Sequence, residues 1–415
     1  MRTSVAARRA VLAAAAILLV AACGGGGGGG EAAIPPFWLR SGIVVADFDG
    51  NGRADVAVAA TYIAGPPPHP GYLDVYLQSA PRQFAAPVQY PVGPDPWGLS
   101  AGDFDGDGRL DLVAASPATE APQPNVASNS GAIALLQQDA ARAGVFLPAL
   151  RTATGGAAND AAIAELTGDA RADVIVADGV LVNGRALLLE QSGAQPGSLL
   201  APVPIPIGAG RGSGELAVGD LNGDGRADIV LAASDGAAIV LQNGSGGFDP
   251  AQVLPAGVLP QGVAIADIDG DGRADIVVAN AGNAPAGGTG GASVTLLRQT
   301  SPGQFAATAI AVADGARRVA IADLNGDGVP DAAVISLVYQ SQSTPSRISV
   351  LLQLPAARGQ LAVAAVYDGP FNGNFIAIGD ADGDGLNDLF VNDGPVVLLQ
   401  RAATPGTFDP PRALR

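Results

Sequence analysis

A nine-residue acidic loop that recurs seven times constrains the fold of this chain more than any other feature. Its best copy runs from Asp103 to Asp111, with carboxylates at positions 1, 3, 5 and 9 and glycine at positions 4 and 6. Successive copies start 47 to 62 residues apart. Self-similarity at this period predicts one architecture built from similar units rather than several unrelated domains.

We number the copies loops 1 to 7, and they span residues 47–55, 103–111, 165–173, 220–228, 267–275, 323–331 and 380–388. Loop 3 departs from the pattern: Glu165 stands at position 1, Thr167 at position 3, and Ala170 replaces the second glycine. Threonine is a weaker ligand than a carboxylate, and the turn at position 6 favours glycine. We therefore expect loop 3 to be weak or empty as a cation site.

The residues around each loop repeat as well. One apolar run enters the loop and another leaves it, as in Gly42–Ala46 and Val56–Ala59. A third run ends in Leu-Leu-Gln or a close variant, and a fourth segment begins at a phenylalanine: Phe84, Phe248, Phe305, Phe408. Short runs rich in Val, Ile, Leu and Ala, bounded by turn residues, predict strands. The runs are nearly continuous, which is typical of strands buried on both faces.

Seven units of four antiparallel strands predict an all-β fold, a seven-bladed β-propeller of four-stranded blades over residues 41–415. The alternative is a linear array or a set of sandwiches. The sequence allows two ways of closing the ring. Either Phe37–Arg40 pairs with the last blade, or the blades stay in register with the repeat.

The donor chemistry of the loops indicates calcium. Oxygens at positions 1, 3, 5 and 9, with the backbone carbonyl of position 7, give the six or seven oxygen ligands that Ca²⁺ prefers, whereas Mg²⁺ requires a smaller octahedron. No His or Cys lies in any loop, and 24 of the 39 acidic residues occupy the four positions. An EF-hand is excluded, because position 12 of loop 1 is Val58 and a strand-like run follows.

About six calcium sites follow, with these predicted ligands: Asp47, Asp49, Asn51, Arg53 and Asp55; Asp103, Asp105, Asp107, Arg109 and Asp111; Asp220, Asn222, Asp224, Arg226 and Asp228; Asp267, Asp269, Asp271, Arg273 and Asp275; Asp323, Asn325, Asp327, Val329 and Asp331; Asp380, Asp382, Asp384, Leu386 and Asp388. The residue at position 7 contributes its carbonyl. Where it is arginine, the side chain either offsets carboxylate charge or is solvated, and solvation is the simpler interpretation.

These loops resemble the calcium loops of FG-GAP (VCBS-type) repeats, known from the head of integrin α subunits and from many bacterial surface proteins. The resemblance covers residues from about 41 to 415. It implies a seven-bladed propeller with calcium held between the first two strands of a blade. It also implies that the usual ligand surface lies on the opposite face of the ring.

The N-terminus predicts export and lipidation. Residues 1–22 combine arginines with an apolar run too short to span a bilayer, as in a secretory signal. The run ends at Cys23, which resembles the lipidated cysteine of bacterial lipoproteins, and residues 23–40 form a Gly-rich tether. We expect a lipid-anchored protein of the cell envelope, at the bacterial outer membrane or cell surface. A soluble export signal with an incidental cysteine is the alternative.

The overall composition excludes several function classes. A formal net charge of -17 disfavours nucleic-acid binding. One Cys and one His leave no internal disulfide, zinc site or Ser-His-Asp triad. The single histidine, His69, lies in a Pro-rich stretch and is interpreted as an exposed loop residue.

The function is expected on the loops that do not repeat. The connections between the second and third strands are long in repeats 1, 2, 5 and 6 and short in repeats 4 and 7. Their aromatic residues Tyr62, Tyr72, Trp97 and Tyr339 are candidate anchors for a protein or glycan partner. No catalytic constellation is recognised, so a non-enzymatic binding or adhesion module is the first hypothesis. A polysaccharide lyase or hydrolase, and a purely structural surface lipoprotein, are the alternatives.

Overall fold

The computed structural model describes residues 37–64, 69–117, 131–179, 184–195, 197–208, 213–282, 291–337 and 344–414. These residues form 30 β-strands and contain no helix, and hence no apolar helix long enough to span a membrane. The predicted signal, Cys23, the glycine run of the tether and Tyr339 lie outside the described residues.

The strands form seven four-stranded antiparallel sheets, or blades, each made from one stretch of chain. Blade 1 contains β1 (Phe37–Ala46), β2 (Asp55–Ile63), β3 (Gly71–Tyr76) and β6 (Val88–Pro91), with a small hairpin of β4 (Gln78–Ala80) and β5 (Gln83–Phe84). Blade 2 contains β7 (Gly98–Gly102), β8 (Asp111–Ser116), β9 (Ala132–Leu136) and β10 (Leu150–Ala153). Blade 3 contains β11 (Ala158–Ala164), β12 (Asp173–Asp178), β13 (Arg185–Leu189) and β14 (Val203–Pro206).

Blade 4 contains β15 (Ser213–Gly219), β16 (Asp228–Ala233), β17 (Gly236–Val240) and β18 (Gln252–Leu254). Blade 5 contains β19 (Pro260–Ala266), β20 (Asp275–Asn280), β21 (Ser293–Ser301) and β22 (Gln304–Ala311). Blade 6 contains β23 (Gly315–Ala322), β24 (Asp331–Leu337), β25 (Arg347–Leu354) and β26 (Ala357–Asp368). Blade 7 contains β27 (Ile376–Gly379), β28 (Asp388–Val391), β29 (Val396–Leu398) and β30 (Arg412–Ala413).

This architecture confirms the predicted seven-bladed β-propeller and answers the question of ring closure. Phe37–Arg40 pairs with residues 60–63 of β2 in its own blade, so pairing with the last blade is wrong. Blades 1 and 7 meet without exchanging a strand, and every blade stays in register with the sequence repeat. Because β1 begins at Phe37, residues 37–40 belong to blade 1 rather than to the tether.

The first strand of each blade contacts the first strands of both neighbours, so these strands form the inner wall of the ring. The second strands are the most deeply buried elements, and every residue of β8, β12, β16 and β20 is buried. The fourth strands lie at the outer edge and are largely exposed, as in β6 and β10. The acidic loops, at the ends of the first strands, therefore share one face of the ring.

The hydrophobic core lies between blades rather than within them. Seven clusters of buried side chains occupy the seven blade-to-blade interfaces. In β2, Val56 and Val58 pack toward blade 7, while Ala57 and Ala59 pack toward blade 2. This explains the continuous apolar runs in the sequence, since both faces of a strand are covered.

The prediction that the fourth strand begins at a phenylalanine is wrong for three of the four residues. Phe84, Phe248 and Phe408 pair back with the glutamine that follows the third strand and precede the fourth strand. Only Phe305 lies in a fourth strand, β22. The reason is packing between blades: Phe84, for example, makes an edge contact with Phe390 of blade 7 at 6.4 Å between ring centroids.

Candidate metal loops and the opposite face of the ring

Each acidic loop folds around the carboxylate at its own position 1. In loop 2, Asp103 Oδ1 accepts hydrogen bonds from the N–H groups of Gly106 and Asp107 at 2.8 and 3.1 Å. Its Oδ2 accepts one from Gly108 at 3.0 Å. The same use of both oxygens recurs in loops 1, 4, 5, 6 and 7. The spacing of the sequence motif therefore produces a tight, closed turn.

The aspartate at position 9 joins the loop to the third strand of the same blade. In loop 2, Asp111 Oδ2 accepts from the N–H of Phe104 at 3.0 Å, and Oδ1 accepts from the N–H of Gln138 at 2.7 Å. Gln138 lies two residues after β9, directly after Gln137, the glutamine of the predicted Leu-Leu-Gln ending. The other six loops make the same two bonds, loop 3 included.

Burial raises the pKa of these position-9 carboxyls despite their two backbone hydrogen bonds. The pKa rises to about 6 in Asp55, Asp111, Asp275 and Asp331, and to about 7 in Asp388. Neighbouring loop carboxylates raise it further by repulsion. A bound cation would reverse this balance, since its positive charge favours the ionised form.

Five loops bring three carboxylates so close that their oxygens lie within 4.8 Å of one another. The members are Asp47, Asp49 and Asp55; Asp103, Asp105 and Asp111; Asp267, Asp269 and Asp271; Asp323, Asp327 and Asp331; Asp380, Asp382 and Asp388. Within the described residues, loops 3 and 4 form no such group, although loop 4 keeps the backbone hydrogen bonds of the others. Several loops could therefore hold a metal ion, and their oxygen-only donors fit a hard cation.

Loop 3 differs from the others as its sequence predicts. Glu165 uses one oxygen, Oε1, to accept from the N–H groups of Thr167 and Asp169 at 3.0 and 3.1 Å. Ala170 adopts a φ of 64°, in the left-handed region that the other loops reserve for glycine. The loop keeps the turn but has a threonine in place of a carboxylate at position 3.

The position-7 arginines do not simply extend into solvent. Arg109 Nη1 lies 2.8 Å from Asp107 Oδ2 at position 5 of the same loop. Arg171, Arg226 and Arg273 make the equivalent contact with Asp169, Asp224 and Asp271. For these four arginines the interpretation as solvated side chains is therefore wrong, and their guanidinium groups offset carboxylate charge.

The opposite face of the ring carries an aromatic group on blade 1. Trp38 and Tyr62 are direct cross-strand neighbours in β1 and β2, with ring centroids 5.0 Å apart. Tyr72 of β3 lies 5.7 Å from Trp38. All three side chains are partly exposed. The predicted anchors Tyr62 and Tyr72 are thus brought together, and Trp38, which the sequence analysis assigned to the tether, joins them.

The other predicted residues of this face lie elsewhere. Trp97 packs against Phe375 of blade 7 at 5.7 Å, near the axis of the ring. His69 is only 16% exposed, and its Nδ1 lies 3.8 Å from Asp95 Oδ1, so its interpretation as an exposed residue is wrong.

A buried ionic cluster lies at the mouth of the axial channel on this same face. Arg318 of β23 lies with its Nε 3.3 Å from Glu215 Oε1 of β15 and its guanidinium carbon 4.4 Å above the ring of Phe375. Asp160 of β11 accepts a hydrogen bond from the N–H of Leu216 at 3.1 Å. This cluster was not predicted from the sequence. Its signal was three ionisable residues where the first strands of blades 1, 2 and 5 have glycine.

Burial controls the protonation of both carboxyls in this cluster. It raises the pKa of Asp160 to about 6 and that of Glu215 to about 8, although Arg318 acts in the opposite direction on both. Repulsion from Asp160 raises the pKa of Glu215 further. Both shifts favour the protonated forms of these carboxyls.

Several solved structures resemble this chain at low sequence identity. A protein from Bacteroides uniformis, provisionally described as a 6-phosphogluconolactonase, matches with a TM-score of 0.56 and 13% identity, over 90% of this chain and 94% of its own. A lectin from Agrocybe aegerita that recognises non-reducing terminal N-acetylglucosamine matches at 0.48 and 19% identity, over 80% and 79%. An exotype rhamnogalacturonan lyase matches at 0.49 and 13%, over 86% and 70%. No function is transferred from these likenesses, and no curated protein matches the sequence.

Family comparison agrees with the repeat pattern. The FG-GAP-like repeat matches residues 47–114, 165–231 and 220–278, and the FG-GAP repeat matches residues 96–136. The matched segments contain loops 1 to 5 and the strands around them. With the seven-bladed ring and its seven acidic loops, they show that the chain belongs to the FG-GAP repeat family.

Proposed function

We propose that this protein is an exported, calcium-binding propeller that binds a protein or glycan at the cell surface. In this proposal calcium stabilises the blades, and the partner binds to the face opposite the acidic loops. The observation that carries the binding role is the partly exposed aromatic group of Trp38, Tyr62 and Tyr72. Clustered Trp and Tyr side chains with polar tips are typical of recognition surfaces.

The calcium role is supported by the convergence of carboxylates in five loops and by the oxygen-only donor sets. Calcium would be held by positions 1, 3, 5 and 9 with the carbonyl of position 7, and its charge would remove the repulsion among the carboxylates. Thermal unfolding with calcium and with chelator tests this, because a ligand of the native state raises the melting temperature. An unchanged midpoint, with no metal found by elemental analysis, would refute it.

The binding surface is tested by alanine variants of the aromatic group. Trp38→Ala and Tyr72→Ala should lose binding on a glycan array or to candidate surface proteins, while the circular dichroism spectrum stays unchanged. Leu150→Ala is the matched control, since Leu150 is an apolar side chain, 48% exposed, on the outer strand β10. If the aromatic variants bind as the parent does, the partner uses another surface. A parent that binds nothing with or without calcium favours a purely structural role.

A carbohydrate-active enzyme is the second candidate. The observation that favours it is the buried ionic cluster of Asp160, Glu215 and Arg318. Two buried carboxyls with different proton affinities, beside an arginine, have the composition of an acid–base pair for glycoside chemistry. A turnover screen on polysaccharides tests this candidate, with Glu215→Gln and Asp160→Asn as variants. Asp178→Asn, which alters a buried carboxylate paired with Arg185 at 2.9 Å, is the control. A parent that turns over no polysaccharide would refute the candidate, and turnover that survives both variants would exclude this cluster as the catalytic site.

The envelope location rests on the N-terminal sequence. Labelling with a fatty-acid analogue in a bacterial host should modify the parent and leave Cys23→Ser unlabelled. Fractionation of the same cells would give the membrane that receives the anchor. Absence of label on the parent would favour the soluble export signal.

A further inference from the structure

The interface between blades 7 and 1, which we call the seam, differs from the other six interfaces in its connectivity. Every other pair of neighbouring blades is joined by one continuous stretch of chain, whereas blades 7 and 1 are built from opposite ends of the described sequence. No strand crosses the seam to complete the other blade. Non-covalent contacts alone must close the ring.

Beside the apolar cluster at this interface, the hairpin of β4 and β5 in blade 1 makes polar contacts with loop 7. Gln78 Nε2 and the N–H of Arg82 both donate to the carbonyl oxygen of Ala381, at 2.6 and 2.9 Å. The N–H of Ala381 in turn donates to Asp388, the buried position-9 carboxylate of loop 7. Blade 1 therefore holds the backbone of loop 7 at one carbonyl.

The side chain of Arg82 adds an ion pair to this contact. Its Nε donates to Asp382 Oδ2 at 3.0 Å, and its Nη2 contacts the same oxygen. Asp382 is only 3% exposed, so the pair is partly shielded from solvent on the carboxylate side. A charge-assisted hydrogen bond in this setting is stronger than a neutral one.

Arg82 also stands where the other six blades have glycine. In each blade, the glutamine at the end of the third strand pairs with an apolar residue, which is Phe84 in blade 1. Two positions before that apolar residue, the other six blades have glycine with φ between 71° and 82°: Gly144, Gly197, Gly246, Gly303, Gly359 and Gly406. Arg82 keeps the same left-handed backbone, with φ of 61°, although L side chains rarely adopt it. Backbone strain of this kind persists where the surrounding structure requires it and is found at functional positions.

At four other interfaces the equivalent glycine packs directly against the preceding loop, and these glycines are Gly144, Gly246, Gly359 and Gly406. A Cβ on Gly144 would lie 3.0 Å from the Cβ of Asp49, and one on Gly359 would lie 2.7 Å from the Cβ of Asp269. Both aspartates occupy position 3, as Asp382 does in loop 7. The seam thus replaces a close glycine contact by an arginine that reaches the same position of the loop.

We propose that Arg82 is the ring-closing residue of this propeller: its ion pair with Asp382 holds blade 1 on blade 7 where no covalent connection does so. The role does not depend on calcium, because Arg82 uses Oδ2 of the carboxylate while Oδ1 faces the loop and accepts from the N–H of Asp384. Its loss should loosen the seam and leave the six connected interfaces closed.

Hydrogen exchange of the Arg82→Gly variant tests this proposal. The variant restores the residue of the other blades and relieves the strained backbone, so a simple stability argument predicts slower exchange. Ring closure through Arg82 instead predicts about tenfold faster exchange in β1 and β27, with β16 of blade 4 unchanged. Arg401→Ala is the control, because Arg401 pairs with Asp409 within blade 7, at 2.8 Å from Nε to Oδ1.

A disulfide across the seam gives the rescue. A Cβ on Gly379 would lie 3.7 Å from the Cβ of Val45, within the range of disulfides. In a Cys23→Ser background, Val45→Cys with Gly379→Cys should restore slow exchange to Arg82→Gly when oxidised and lose it when reduced. Unchanged exchange at the seam in Arg82→Gly, equal acceleration in β16, or no rescue by the oxidised disulfide would overturn the proposal.

Discussion

Ala170 is the residue at which loop 3 departs furthest from the backbone geometry of its relatives. It holds a φ of 64°, where the six other loops place glycine at 78° to 86°. The left-handed conformation costs an alanine about 1 to 2 kcal/mol. Part of this cost relative to glycine is offset, because a glycine at the same position would lose more conformational entropy on folding. The loop tolerates this cost because its other hydrogen bonds, which backbone N–H groups donate to the carboxylates of Glu165 and Asp173, remain in place.

Ala170→Gly should therefore stabilise the protein by about 0.5 to 1 kcal/mol in urea unfolding with chelator present. Gly225→Ala in loop 4 is the reverse experiment at the same loop position. A Cβ on Gly225 would meet nothing within 4 Å, so its cost should be conformational alone, about 1 kcal/mol of destabilisation. Equal stability of both variants and the parent would contradict the argument.

Glu215 makes stability depend on pH, because burial raises its pKa to about 8 in the folded protein. Folding favours the protonated carboxyl, so its contribution to stability is complete below the ordinary glutamate pKa and is lost as the pH rises through about 8. Between pH 5 and 9 the parent should lose more unfolding free energy than Glu215→Gln. Urea titrations in calcium at several pH values measure this difference, with Glu190→Gln as the control variant. Parallel curves for parent and Glu215→Gln would exclude the effect.

The third strands of the blades end in glutamines, and four of these connect neighbouring blades. Besides donating its N–H to the position-9 aspartate, the glutamine in four blades donates its side-chain amide to the position-2 carbonyl of the preceding loop. Gln191 reaches Phe104, Gln299 reaches Leu221, and Gln353 reaches Ile268. Gln138 and Gln400 donate instead to a carbonyl of their own loop. Gln242 lacks this contact, and both side-chain polar atoms of Gln242 are buried without a partner. At four of the seven interfaces, the glutamine at the end of the third strand therefore joins neighbouring blades.

Replacing two of these glutamines by leucine should give opposite results. Gln299→Leu removes a buried donor from two carbonyls, those of Leu221 and Ala274, and should cost about 1 to 3 kcal/mol. Gln242→Leu replaces an unsatisfied amide by an apolar side chain and should be neutral or stabilising. Urea unfolding of both variants in chelator compares them. Equal losses would show that the side-chain hydrogen bonds do not join the blades.

Repetition made the blades and loops predictable from sequence, because one motif seen seven times fixes both the strand order and the position of the acidic turn. The contacts that depend on a closed ring were not predictable in this way. Arg82 lies 300 residues from Asp382, and Asp160, Glu215 and Arg318 meet only because their strands line one channel. Trp38 was assigned to the tether, since no repeat of β1 extends that far in the other blades.

At the scale of the whole molecule, each blade is a contiguous stretch of sequence, and the core lies only between neighbours. The position of the chain ends is therefore a choice among seven interfaces that differ in their non-covalent contacts. At the natural seam, Gln78 and Arg82 of blade 1 donate hydrogen bonds to loop 7 of blade 7. The interface between blades 3 and 4 has fewer polar contacts, because the side chain of Gln242 has no hydrogen-bond partner there and loop 3 departs from the sequence pattern. At the interface between blades 4 and 5, Gln299 of blade 5 donates a hydrogen bond to Leu221 of loop 4.

Two circular permutants compare these interfaces directly. One opens the chain between β14 and β15, the other between β18 and β19, and both join the original ends through the chain's own Gly24–Gly30 run as a flexible linker. Both keep every blade whole, so both should fold. The permutant opened between blades 4 and 5 should melt at the higher temperature in calcium, because Gln299 still bridges its new seam. If the permutant opened between blades 3 and 4 is equally stable, these polar contacts do not decide where the ring can open.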